Sequence, residues 1–148
     1  MPHLFIILAL SVNSFSKSTF FKVIENGTKV EISSLQKEIA SQSVSTTQQA
    51  YLGALQMKAS NFEKTPAEKL ALFKKGKELL EKSIKSEPSN AEFRFLRLII
   101  QENAPKVLKY NQEIKTDAAF IETNLSKLPK DVKAAVIDYS KTSANLEI

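Results

Sequence analysis

The sequence predicts an all-α domain of about six or seven antiparallel helices, from recurring helix-start signals and a 3.6-residue apolar period. Only three glycines interrupt 148 residues. Strand-built cores need β-branched runs at period two, and such runs are scarce in this chain.

The first sixteen residues, MPHLFIILALSVNSFS, carry no acid, lysine or arginine. Leu4 to Val12 form an apolar run too short to span a bilayer. Ser14 and Ser16 stand at −3 and −1 relative to Lys17, the layout of a secretory signal cleaved after Ser16. An uncleaved hydrophobic N-terminus is the alternative. Residues 17–148 are then one domain's worth of chain.

FFKVIENGTKVEI, at positions 20–32, reads in two ways. It is a strand, an Asn-Gly turn and a strand, or it is a helix ended by Gly27 and a second helix capped at Thr28. The helical reading is favoured. Thr28 and Glu31 form a capping box, and Ile32, Leu35 and Ile39 continue the helical period beyond the turn. A helix from Thr46 to Ser60 starts on Ser45-Thr46-Thr47-Gln48 and places Leu52, Leu55, Ala59 and then Phe62 on one face.

Thr65-Pro66-Ala67-Glu68 combines an N-cap, a proline at the first helical position and a glutamate at N3. The helix that follows carries a stripe of Leu70, Phe73, Leu80 and Ile84, widened by Leu72, Gly76, Leu79 and Ser83. Its other face is charged, with Glu78→Lys82 and Glu81→Lys85 at favourable i,i+4 spacing. Pro88 removes a backbone donor and disfavours helix at Glu87, so the helix stops there. Ser89 or Asn90 caps the next, and the link from Glu87 to Asn90 makes the two helices antiparallel neighbours. Short helix follows from Ala104 to Tyr110, then Asp117 to Leu128 with Ile121, Leu125 and Leu128. Pro129 opens the last helix, carrying Val132, Ala135, Val136 and Tyr139. Residues 142–148 are polar and are expected to fray.

Composition narrows the chemistry. There is no cysteine and no tryptophan, and His3 is the only histidine. Signal cleavage removes it, leaving no imidazole for acid–base work or metal binding, and no thiolate. No cofactor or metal is expected. The net charge of +5 is spread along the chain as lysines alternating with glutamates. That is the pattern of solvated helix faces and not of a nucleic-acid footprint, which clusters basic and aromatic residues.

Gly76, Leu80, Ser83, Ile84 and Pro88 follow a small-x3-large-x2-small-large-x3-Pro spacing. This resembles the second helix of a tetratricopeptide repeat with its closing proline, and Leu52-Gly53 beside Tyr51 is similar to part of that family's first helix. The resemblance covers about residues 46–101. It implies a right-handed stack of antiparallel helix pairs, an arrangement that serves binding more often than catalysis.

The only two arginines, Arg94 and Arg97, lie in the most apolar segment, AEFRFLRLIIQ. With Gln101 they share a narrow polar strip of its helix. Two guanidiniums one turn apart can clamp a carboxylate or phosphate. The favoured alternative is that both reach acidic partners within the fold, with Arg97 the one expected to border a groove. Asn103 and Tyr110 extend the strip into the polar joint from Glu102 to Asn111, either as a binding cleft or as ordinary turn residues.

These residues point first to a non-enzymatic, exported helical scaffold or protein-binding module of the periplasm or cell envelope, with another protein or peptide as partner. A small exported hydrolase or lyase working with carboxylates and tyrosines is the second reading. Glu122 and Asp131 could imitate a glycosidase pair, although solvated helix-end acids are the favoured reading of those two. A binder of apolar small molecules is the third, and it calls for a sizeable cavity near Phe73 and Phe93.

Overall fold

A computed structural model describes residues 15–148. The expected signal segment lies outside these residues up to position 14. Among the described residues there are seven α-helices and no strand: α1 Lys17–Asn26, α2 Lys29–Ala40, α3 Thr46–Ala59, α4 Pro66–Ser86, α5 Ala91–Asn103, α6 Ile114–Asn124 and α7 Lys130–Ser140. Single 3-10 turns follow α3, α5 and α6.

The helix starts are built as their sequences require. Ser45 caps α3 and Asn90 caps α5, while Thr28 and Thr65 each close a complete capping box with Glu31 and Glu68. The reciprocal bonds satisfy amides that the first helical turn leaves without partners. Residues 20–32 are therefore two helices and not a hairpin. The α1–α2 joint takes only Gly27 and Thr28.

Connections are short, so consecutive helices alternate in direction. Lys17 Nζ meets Glu92 at 3.2 Å, and Ser83 Oγ meets the Thr46 carbonyl at 3.3 Å, at one end of the bundle. Glu25, Lys58 and Asn103 gather at the other. Helices α1, α3, α5 and α7 run towards that second end, and α2, α4 and α6 run back.

The tightest pairing is α3 with α4, where Gly53 faces Gly76. A Cβ on Gly76 would stand 2.5 Å from the Gly53 carbonyl oxygen, and one on Gly53 would stand 2.7 Å from the Gly76 oxygen. Backbones can approach this closely only where neither residue carries a side chain.

Helix α5 runs through the core. Ten of its thirteen residues are buried, including Phe93, Phe95, Leu96, Leu98 and Ile99 with no exposure. Around it, Phe21 packs on Phe95, Phe95 meets Tyr139 edge-on, and Tyr51 stacks on Phe20 at 4.0 Å between centroids.

Five expectations are corrected. Phe62 and Leu70 are each 41 % exposed. Phe62 has left α3 for the 3-10 turn, and Leu70 lies in the first turns of α4, where residues 66–71 are all exposed. Helix α3 has no single apolar face. It contacts α1, α2, α4 and α5, so Ala50, Tyr51, Gly53, Ala54, Leu55 and Met57 are all buried.

The sixth helix begins at Ile114, three residues before the expected Asp117, and tightens into a 3-10 turn at Leu125. Residues 142–148 are docked and do not fray. Leu146 is buried, Asn145 Nδ2 and Ser143 Oγ donate to Glu102 at 2.6 and 2.8 Å, and the Glu147 amide donates to Glu122 at 2.8 Å. One buried leucine and a recipient carboxylate suffice to hold a short polar tail. Among the described residues no helix is long and apolar enough to cross a membrane.

Candidate functional site

The five residues singled out in sequence divide into a buried ion network and an open cleft, joined at Gln101. Arg94, Arg97 and Gln101 lie on one strip of α5, which faces the first turns of α6. There Asp117 is completely buried. Its carboxylate accepts from Arg97 Nε and Nη2 at 2.7 Å each, from Gln101 Nε2 at 3.0 Å and from Arg94 Nη1 at 3.3 Å.

The Arg97 fork is bidentate, the geometry that favours arginine over lysine. Burial works against the Arg97 charge, but the Asp117 hydrogen bonds and charge outweigh it, so its pKa is raised and the guanidinium stays ionised. Arg94 is more peripheral. Its Nε and Nη2 donate to the Pro88 carbonyl at 3.1 and 3.0 Å, and its Cζ lies over the Phe120 ring, 4.3 Å from the centroid.

The network continues through Arg97 Nη1 to Glu81 Oε2 at 3.0 Å, and Tyr110 donates to Glu81 Oε1 at 2.6 Å. Glu81, expected to pair with Lys85 along its own helix, is drawn inward instead. Lys109 is left-handed, with φ 51°, where the chain turns into Tyr110. Gln101 closes the circuit by accepting the Glu113 amide at 2.9 Å.

The cleft opens where α5 ends. It encloses about 530 Å³ between the C-terminal end of α1, the segment from Gln101 to Asn111 and the docked tail. Gln101, Asn103 and Tyr110 line it. Arg94 and Arg97 do not, so the expectation that Arg97 borders a groove is corrected. Both ends of its guanidinium are held inside the helix stack, one turn short of the opening.

On the cleft floor Glu102 accepts from Tyr139 at 2.6 Å, and Asn103 Nδ2 donates to the same hydroxyl at 3.2 Å. Burial and the neighbouring acids push both Tyr110 and Tyr139 up, keeping the two phenols protonated. On the wall, burial and then Asp138 raise the Glu25 carboxyl, with Lys58 partly offsetting them. Burial lowers Lys58, and Glu25 partly restores it.

Glu122 and Asp131, the carboxylates considered as an acid–base pair, are engaged separately. Glu122 receives the Glu147 amide, and Asp131 receives the Val132 amide at 2.9 Å. The crevice beside Phe73 encloses about 10 Å³, which is room for about one water molecule. Among the described residues no three His, Cys, Asp or Glu side chains are grouped to hold a metal ion.

Sequence reasoning did not identify Asp117, Glu81, Glu25 or Tyr139 as members of these sites. Asp117 had a readable signal. It stands four residues before Ile121 and eight before Leu125, on the same stripe of its helix, so its charge falls on an apolar face opposite the only two arginines. The others had none, because Glu81 looks like any solvated helix acid and Tyr139 like a core aromatic. No protein-family model matches the chain, and neither does any curated protein or solved structure.

Proposed function

We propose that the protein is a non-catalytic, exported helical scaffold that binds another protein or peptide through the cleft at the end of α5. The cleft itself carries this reading. Its volume of about 530 Å³ falls in the range of specific binding sites, and amides, carboxylates and tyrosine rings converge on it. A tetratricopeptide-like stacking of α3, α4 and α5 belongs to the same proposal. The close Gly53–Gly76 pairing and the tight link from Glu87 to Asn90 support it.

The chemistry of the groups favours binding over hydrolysis or elimination. Glu102 is occupied by three side chains, the tyrosine hydroxyls are donors held protonated, and Glu122 and Asp131 each cap a backbone amide. A general acid–base pair needs two free carboxyls within reach of a bound substrate, and among the described residues Glu25 is the one cleft-lining carboxyl without a hydrogen bond. An apolar ligand finds little support beside Phe73, where the space is about one water in size.

Site-specific photocrosslinking in an exporting cell tests the proposal. A benzophenone side chain at Asn111, on the cleft rim, is expected to capture a discrete partner. The same group at Val44, 81 % exposed at the opposite end of the bundle, is expected to capture none. Equal capture from both positions, or none from Asn111, refutes the reading.

A further inference from the structure

Phe15 and Ser16 belong to the folded domain, which bears on where a leader is removed. The Phe15 ring packs against the core, 5.7 Å from the Tyr51 ring and 6.1 Å from the Phe20 ring. Ser16 is the N-cap of α1. Its Oγ accepts the Thr19 amide at 3.4 Å, and its carbonyl accepts the Phe20 amide at 3.0 Å. Lys17 is already the first helical residue, and its Nζ is paired with Glu92, which also accepts from the Tyr51 hydroxyl.

A cut after Ser16 would remove the cap and the Phe15 ring together. It would also place a free α-ammonium on the first residue of α1, at the positive end of the helix dipole. We infer that the leader is cut upstream of Phe15, so that the mature chain keeps Phe15 and Ser16. The bond that best fits is Ser14–Phe15, which has a small residue at −1 and leaves the apolar run from Leu4 to Val12 intact within the leader.

The reaction is a peptide hydrolysis by the leader peptidase of the exporting membrane. The Ser14 carbonyl carbon loses the Phe15 nitrogen and gains the oxygen of one water. The products are a Ser14 carboxylate and a Phe15 α-ammonium. Phe15 then begins the mature chain with its ring on Tyr51 and its positive charge one residue outside the cap.

This inference rests on the exported reading, and the experiment separates the two. The full chain is produced with its own leader in an exporting host, and the exported product is analysed by intact mass and N-terminal sequencing. A product beginning at Phe15, or at an earlier residue from His3 onward, supports the inference, whereas one beginning at Ser16 or later overturns it. An uncut chain beginning at Met1, or at Pro2 after loss of the initiator methionine, overturns it together with the exported reading, and its mass is distinct.

A second variant guards the result. Ser16→Asp retains a capping side chain, so the domain keeps its first helix. Asp at −1 would block a cut after residue 16, whereas the same residue two places beyond a cut after Ser14 leaves it unhindered. Processing of Ser16→Asp at the parent rate is expected, and a tenfold slower rate overturns the inference.

Discussion

Four hydrogen bonds converge on the carboxylate of Asp117 from Arg94, Arg97 and Gln101. Replacing that carboxylate with an amide leaves the Arg97 guanidinium buried without its main counter-charge. Asp117→Asn is therefore expected to lower stability by about 3–5 kcal/mol, measured by chemical denaturation. Arg97→Lys keeps the charge but loses the fork, for a loss of about 2 kcal/mol. Arg94→Lys, at the edge of the network, should cost less than about 1 kcal/mol. Equal losses at the two arginines would contradict the asymmetry of their environments.

Glu25 supplies a pH test. Its folded pKa lies above the ordinary 4.5, chiefly through burial and then through Asp138. The folded chain thus holds this proton more tightly than the unfolded chain does. The resulting stability is fully present below pH 4.5 and is lost as pH rises through the folded value. Glu25→Gln has no such proton to lose. It is expected to melt above the parent at pH 7, with the difference closing below pH 4.5, as followed by thermal melts across that range.

Among the helices, α3 and α4 make the least tolerant contact. Alanine in place of glycine ordinarily strengthens a helix by about 1 kcal/mol. At Gly76 the added methyl would meet the Gly53 oxygen at 2.5 Å and the Met57 nitrogen at 2.8 Å, and backbone atoms cannot rotate aside. Gly76→Ala is expected to reverse the usual sign and destabilise by about 2–3 kcal/mol. Denaturant titration checks this, and a stabilised variant would mean that the helices separate freely.

For the domain as a whole, the docked tail closes the bundle. It buries its own Leu146 against the bundle and brings Ser143 and Asn145 to Glu102 on the cleft floor. Ending the chain at Lys141 is expected to cost about 2–4 kcal/mol, from one buried leucine and the lost charge-assisted hydrogen bonds. Far-ultraviolet circular dichroism should remain helical while the thermal midpoint falls. An unchanged midpoint would show that the tail carries no weight.

The helical class and most helix boundaries were legible in the sequence because they depend on local chemistry. A capping box satisfies amides within four residues, Pro88 removes a donor where it stands, and the 3.6-residue period is a property of one segment. The polar strip of Arg94, Arg97 and Gln101 was legible for the same reason, since three positions on one helix fix their mutual angle. The choice of partner was decided by tertiary contact. Asp117 lies twenty residues from Arg97, Glu81 is one of many helix acids, and Asn145 reaches Glu102 from forty-three residues away. No local period encodes which of these meet. The same holds for the cleft, which exists only because the ends of α1 and α5 and the returning tail leave space between them. Position along one helix is a matter of sequence, and adjacency between helices is set by packing.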